Sequence, residues 1–240
     1  MRSDGIDPGI DWDIHRLGRI DSTNRWVAGR AAEGATAGLV AVADVQTAGR
    51  GRWGRSWEAP AGTALLCSVL LRPGLQPERW PLAGAAMGLA AREAVAALSP
   101  AVPVALKWPN DVVVGDAKLG GVLAEALPGS GAIVVGLGLN LTWAPPGAAR
   151  LGQVDRDVVL DAVLAALGRL CGDWAAVVGV LRAHCATLGR RVRVDLAGRS
   201  VTGLAVDVDD TGALVVDTAT GRRTVTAGEV VHLRAVLPRK

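Results

Sequence analysis

Gly49-Arg50-Gly51-Arg52-Trp53-Gly54-Arg55-Ser56-Trp57 lies between two apolar runs, and that placement constrains the fold more than any other feature of the chain. Gly38 to Gln46 reads as a strand leading in, and Thr63 to Leu71, bounded by Gly and Pro, reads as a buried strand leading out. Glycines let the backbone take φ > 0 and let peptide N–H groups approach a ligand closely. Arginine adds a permanent charge on a planar fork of donors suited to carboxylate or phosphate. The stretch is therefore an anion-handling loop. Gly49-x-Gly51-x-x-Gly54 also fits the dinucleotide fingerprint, but that turn opens directly into a helix, with an acidic residue ending a second strand about twenty residues on. Here the loop joins strand to strand, so the context excludes that reading. For the loop alone, a plain solvated turn or a loose nucleic-acid contact stays open.

The 240 residues, 50% of them apolar, are enough for a buried core in one main domain plus a small one. Charged residues make up 20%, which excludes wholesale disorder. A net charge of +3 permits an anionic substrate without requiring nucleic acid. Cys67, Cys171 and Cys185 are an odd set without CxxC or zinc spacing, which points to reduced core thiols in a cytoplasmic protein. His184 beside Cys185 has no second cluster to make a metal site, so no protein side chains are expected as fixed metal ligands. The N-terminal stretch Met1 to Asp7 has no apolar signal core and no run reaches the roughly 18 apolar residues of a membrane span, so no membrane association is expected.

In chain order, a ragged lead-in precedes an edge strand at Trp12 to Leu17, leaving no room for a separate N-terminal DNA-binding module. Asp21-Ser22-Thr23-Asn24 then offers several N-caps for a helix over Arg25 to Glu33, stopped by Gly34. One cap needs one side chain, and the others are free to bind a ligand. Trp80 to Leu98 is a buried helix, apolar on most faces. Val104 to Leu141 reads as a meander of short antiparallel strands, with Pro109-Asn110-Asp111 and Gly115-Asp116-Ala117 as turns and Gly136-x-Gly138 marking a bulge or a close backbone approach. Lys118 either points inward at a site or snorkels to solvent. Two helices follow, Asp157 to Ala175 and Val177 to Leu188. From Arg190 alternating valines, broken at Ala197-Gly198, Asp209 to Gly212 and Ala219 to Gly221, predict a small β-barrel.

Taken together, Asp21-Ser22-Thr23-Asn24, Gln46 with the arginine loop through Trp57, Lys107-Trp108-Pro109-Asn110-Asp111, Lys118-Leu119-x-Gly121 and Gly138-x-Asn140 resemble the biotin-protein ligases in order and spacing. The resemblance covers essentially the whole chain and points to the short class, which lacks the N-terminal DNA-binding domain. It implies an α/β (α+β) catalytic domain with a mixed or antiparallel sheet over 1–189, then an SH3-like barrel over 190–240. Trp53 is a departure, at a position where relatives often carry a polar or basic residue.

The reaction so implied activates biotin with MgATP as biotinyl-5′-AMP and transfers it to a lysine of a biotin carboxyl carrier protein domain of acetyl-CoA or a related acyl-CoA carboxylase. ATP and biotin are substrates, Mg2+ is the accompanying ion, no DNA partner is expected, and the chain is a monomer or homodimer. Ser22, Thr23, Asn24 and Gln46 suit the neutral ureido group. Arg50, Gly51, Arg52 and Lys118 are placed at the biotin carboxylate and α-phosphate. By the same resemblance Arg55, Trp57, Asn110 and Asn140 join them around the adenylate, with Trp57 on the adenine. Lys118, Arg52 and Asp111 are the catalytic candidates, Asp111 either orienting or deprotonating the incoming lysine or acting as a plain turn carboxylate. Ordering residues 49–55 costs about 7 to 14 kcal/mol at roughly 1 to 2 per residue, which predicts a loop partly ordered without ligand and tight with the adenylate. A lipoate-protein ligase or octanoyltransferase would need no polar ureido cluster, and a nucleic-acid-binding module would need more basic charge and better grouped aromatics.

Overall fold

The computed structural model describes residues 10–196 and 198–233. In chain order the elements are β1 (Asp13–Ile20), α1 (Thr23–Ala32), β2 (Leu39–Gln46), β3 (Ala64–Leu71), α2 (Pro81–Leu98), β4 (Val104–Lys107), β5 (Asp111–Val114), β6 (Ala117–Leu127) and β7 (Ala132–Asn140). Then come α3 (Arg156–Cys171), α4 (Trp174–His184), β8 (Arg191–Leu196), β9 (Arg199–Val208), β10 (Leu214–Thr218), β11 (Gly221–Val225) and β12 (Glu229–His232). The lead-in before residue 10 and Ala197 of the expected Ala197-Gly198 break lie outside the described residues.

A seven-stranded mixed sheet carries the order β1-β2-β3-β7-β6-β5-β4. β1 and β2 are parallel, and α1 is the crossover that a parallel pair requires. All other neighbours are antiparallel. The edge strand expected from Trp12 is β1, and it continues to Ile20. β6 and β7 run to 11 and 9 residues, close to the runs from Lys118 to Ala126 and from Ala132 to Leu141 expected from the sequence. Gly136 and Gly138 stay in the ladder with side chains packed closely over them.

Side chains alternate across the sheet. Leu65, Cys67, Val69 and Leu71 of β3 join the main core under α2, α3 and α4, while Leu70 packs in a second cluster with Val27 of α1. β3 is thus buried at every position, as an unbroken apolar run requires. The single polar residue in it, Ser68, faces the α1 side, and this alternation places the site described below.

The helix pair after residue 155 breaks at Gly172-Asp173, not after Ala175 as expected. Asp173 accepts N–H bonds from Ala175 at 3.0 Å and Ala176 at 2.9 Å, capping α4 as Asp155 caps α3. Among the described residues no helix is long and apolar enough to cross a membrane. The three cysteines are free and buried, and burial pushes the Cys67 and Cys171 thiols up to about 12.

The C-terminal strands form a five-stranded antiparallel sheet, order β11-β10-β9-β8-β12. The expected barrel does not close: β11 and β12 are edges, and no pairing joins them among the described residues. β11 turns Arg222 and Arg223 to solvent, a common protection of an exposed edge, while the start of β12 lies against the arginine loop. Trp108 ties the two sheets together, its indole N–H donating to Gly212 O at 2.9 Å and its amide to Thr187 Oγ1 at 3.0 Å.

Candidate active site

α1 begins at Thr23, two residues earlier than the sequence suggests, and none of the expected caps acts as one. Ser22 occupies the N-cap without a side-chain capping bond. Thr23 and Asn24 lie inside the helix, buried, and turned to the sheet. The Thr23 amide donates to Gln46 Oε1 at 2.7 Å, and the Thr23 hydroxyl lies 2.7 Å from that of Ser68. Ser68 donates to Asn24 Oδ1 at 2.6 Å. The Asn24 amide gives its two hydrogens to Glu125 Oε2 at 2.7 Å and Leu123 O at 3.2 Å. A continuous hydrogen-bonded chain therefore runs from the end of β2 through α1 and β3 to β6, where Arg50 of the loop pairs with the same Glu125 carboxylate.

Two strand glycines make room for this arrangement. A Cβ on Gly136 would stand 2.1 Å from Asn24 Oδ1, and one on Gly138 would stand 2.4 Å from Trp57 Cε2. The Gly-x-Gly of β7 thus marks a close approach, made by side chains from α1 and from the loop. The Trp57 indole N–H is buried without a partner, and Lys118 Nζ lies 5.5 Å from the centre of its ring.

Lys118 points into the site because β6 carries a bulge: Val112 pairs with Gly120 and Val113 with Lys118, leaving Leu119 extra and core-buried. Nζ then reaches Asp111 Oδ1 at 2.5 Å, so the Asp111 carboxylate is held in an ion pair and is not spent on its own turn.

The arginine loop closes as a small hairpin, with an Arg50–Ser56 bridge and a Trp57 N–H to Gly49 O bond of 2.9 Å. Arg52 donates to Asn110 Oδ1 at 3.3 Å and Gly228 O at 3.2 Å. Burial pulls the Arg52 guanidinium down from its ordinary value, an effect opposed by Asp111 and Glu229. Arg55 pairs with Glu229 of β12, and that hydrogen bond holds the Glu229 carboxyl below the usual range. Trp53 sits at the tip with φ 59° and is 60% exposed.

One cavity gathers Ser22, Thr23, Asn24, Gln46, Arg50, Gly51, Arg52, Arg55, Trp57, Asn110, Asp111 and Lys118. Asn140 is the exception. It is buried, and its amide donates to Ala149 O at 2.9 Å, pinning the segment after β7 to the sheet. Sequence reasoning missed Ser68, Glu125 and Glu229. For Ser68 a signal existed, the lone hydroxyl in an otherwise apolar strand; Glu125 and Glu229 come from distant segments and carried none. Cys67 also borders the cavity, but with its thiol pushed up to about 12 it is no nucleophile at neutral pH.

The model of the biotin/lipoate A/B protein ligase family matches residues 17–140, and that of the biotin protein ligase C terminal domain matches residues 187–233. A biotin–[acetyl-CoA-carboxylase] ligase of Mycobacterium tuberculosis is 38% identical over 253 residues, covering 98% of this chain and 94% of that one. One of the same description from Paracoccus denitrificans is 33% identical, covering 89% of this chain and 98% of its own. Among solved structures, a biotin protein ligase from Aquifex aeolicus in complex with biotin and ATP superposes with a TM-score of 0.76 at 28% identity, over 92% of this chain and 99% of that one.

Proposed function

The chain belongs to the biotin/lipoate A/B protein ligase family, and we propose that it is a biotin protein ligase that forms biotinyl-5′-AMP and passes the biotinyl group to a lysine of the biotin carboxyl carrier domain of an acyl-CoA carboxylase. The names of its relatives support the substrate class. The observation that carries the reading is the Gln46–Thr23–Ser68–Asn24 chain at one end of a cavity roofed by arginines. A neutral head group with donors and an acceptor can exchange hydrogen bonds with the hydroxyls and amides of such a wall, whereas a plain acyl chain makes no use of them.

In the first step a biotin carboxylate oxygen attacks the α-phosphorus of ATP, the bond to the β-phosphate oxygen breaks, and pyrophosphate leaves. Arg52 and Lys118 neutralise the charge that gathers on the equatorial oxygens. Arg50 and Gly51 hold the carboxylate, Arg55 and Asn110 steady the loop around the adenylate, and Trp57 offers its ring to the adenine. Asn140 acts at one remove, by holding the segment that bears Ala149. In the second step the acceptor amine attacks the acyl carbon, AMP departs, and the amine loses one proton. Asp111 becomes available to receive it when Lys118 turns to the phosphate. The division near residue 189 separates this machinery from a C-terminal unit that holds the loop through Gly228 and Glu229.

Magnesium would be carried on the nucleotide's phosphates. Among the described residues no three His, Cys, Asp or Glu side chains converge to cage a metal, and Mg2+ held on substrate phosphates needs at most one or two carboxylates. Bound there, it would supply further neutralisation of phosphate charge beside Arg52 and Lys118.

The test is biotin-dependent ATP–pyrophosphate exchange, with lipoate and octanoate run in parallel. Exchange with biotin alone is expected; exchange with lipoate in its place would overturn the substrate assignment.

A further inference from the structure

The charges around the cavity do not balance. Arg50, Arg52, Arg55, Lys107 and Lys118 all line it. Arg50 is paired by Glu125, Arg55 by Glu229 and Lys118 by Asp111. Among the described residues Arg52 is bonded only to neutral oxygens. Lys107 makes no ion pair or side-chain hydrogen bond among the described residues. It sits at the end of β4 directly across from Asp111 on β5, whose carboxylate is taken by Lys118. Two positive charges are left over, both toward the β5-β4 side of the sheet.

Direction decides which ligand group they meet. The polar wall that suits a ureido group rises from α1 over β2, β3 and β7, and β4 is the opposite edge. From β3 to β4 is four strand steps, about 19 Å at the usual inter-strand spacing. In-line displacement at phosphorus puts the leaving oxygen opposite the attacking one. If the acid enters with its head against β3 and its carboxylate near Lys118 and Arg52, the leaving group must point onward, toward β4. A polyphosphate carries the charge that an uncompensated ammonium at that edge attracts, and an adenosine does not.

We propose that Lys107 binds the β- and γ-phosphates of ATP and retains the pyrophosphate leaving group, a role that rests on the ligase reading above. Lys107 also acts electrostatically across the seam between the sheets, where its charge helps hold down the Glu229 carboxyl and the His232 imidazole.

The experiment is ATP–pyrophosphate exchange on the full chain with wild type, Lys107→Met and Lys107→Arg. In Lys107→Met the KM for pyrophosphate should rise about tenfold or more, the scale of one charge-assisted hydrogen bond, while the KM for biotin moves less than about twofold. Lys107→Arg, which keeps the charge, should restore most of the pyrophosphate KM. An unchanged pyrophosphate KM in active Lys107→Met would overturn the assignment alone, as would equal shifts in both KM values with no rescue by arginine. Wild-type protein silent with biotin would overturn the ligase reading and this role with it.

Discussion

Gly136→Ala tests whether the head-group wall is held rigidly against β7. The new methyl would stand 2.1 Å from Asn24 Oδ1, 3.0 Å from its Cγ and 3.3 Å from Ser68 Oγ. Asn24 is 5% exposed and β7 is packed on both faces, so the amide must leave its site. It then abandons Ser68, which is fully buried, and the Leu123 carbonyl. Two buried polar groups left without partners cost about 1–3 kcal/mol each, so roughly 2–6 kcal/mol in all. At about 2–4 °C per kcal/mol for a chain of this size, a central value near 4 kcal/mol lowers Tm by about 8–16 °C, within a typical total stability of about 5–15 kcal/mol. The control is Gly179→Ala, mid-helix with nothing within 4 Å of the added methyl, which should stabilise by about 0.5–1 kcal/mol. Thermal unfolding followed by circular dichroism reads both, and exchange kinetics should show a biotin KM raised at least about tenfold in Gly136→Ala. A Tm within about 2 °C of wild type together with an unchanged biotin KM would refute the reasoning, since Asn24 would then not be held against β7.

Three further outcomes are expected. Lys118→Ala should reduce adenylate formation at least about tenfold while Tm moves little, because its ion pair with Asp111 is only part-buried; near-normal exchange would remove Lys118 from the chemistry. Glu229→Gln frees Arg55 and should speed biotinyl-adenylate release and proteolysis of the 49–57 loop, by no more than about fivefold for a pair this exposed; unchanged rates of both would show that β12 does not hold the loop. His232 is kept below its ordinary pKa of 6.5 first by burial and then by Arg190 and Lys107, with Asp116 opposing. The unfolded chain therefore binds the proton more readily, so stability is full above about pH 6.5 and falls as pH drops toward the folded value. His232→Gln, which can still accept from Arg190, should shrink the Tm loss between about pH 7.5 and about pH 5.5; an identical loss in both proteins would discount this ring.

Much of this was legible because it is local. The apolar run through β3, the strand on either side of the arginine loop and the buried helix α2 each carry their period in consecutive residues. What failed was also local: Gly172-Asp173 is a weak break in an alanine-rich stretch, and Gly136-x-Gly138 leaves a bulge and a close approach undecided until it is seen what packs over it. Barrel closure was not legible either, since alternating valines predict strands without saying whether the first and last will pair.

The sequence by itself determined the chemistry on offer: a neutral polar quartet, a glycine-arginine loop, and a lysine and carboxylate one short strand apart. Only the tertiary structure decided how these are used. Thr23 and Asn24 become a wall because Ser68, 44 or more residues away, supplies the hydroxyl between them, and Lys118 turns inward because a bulge shifts its register. Glu125 and Glu229 cancel two of the arginines from strands that come 75 and 174 residues later. Hydrogen bonding and charge pairing act over a few ångströms of space, whatever the distance along the chain, so the excess charge left at Arg52 and Lys107 exists only in the folded molecule.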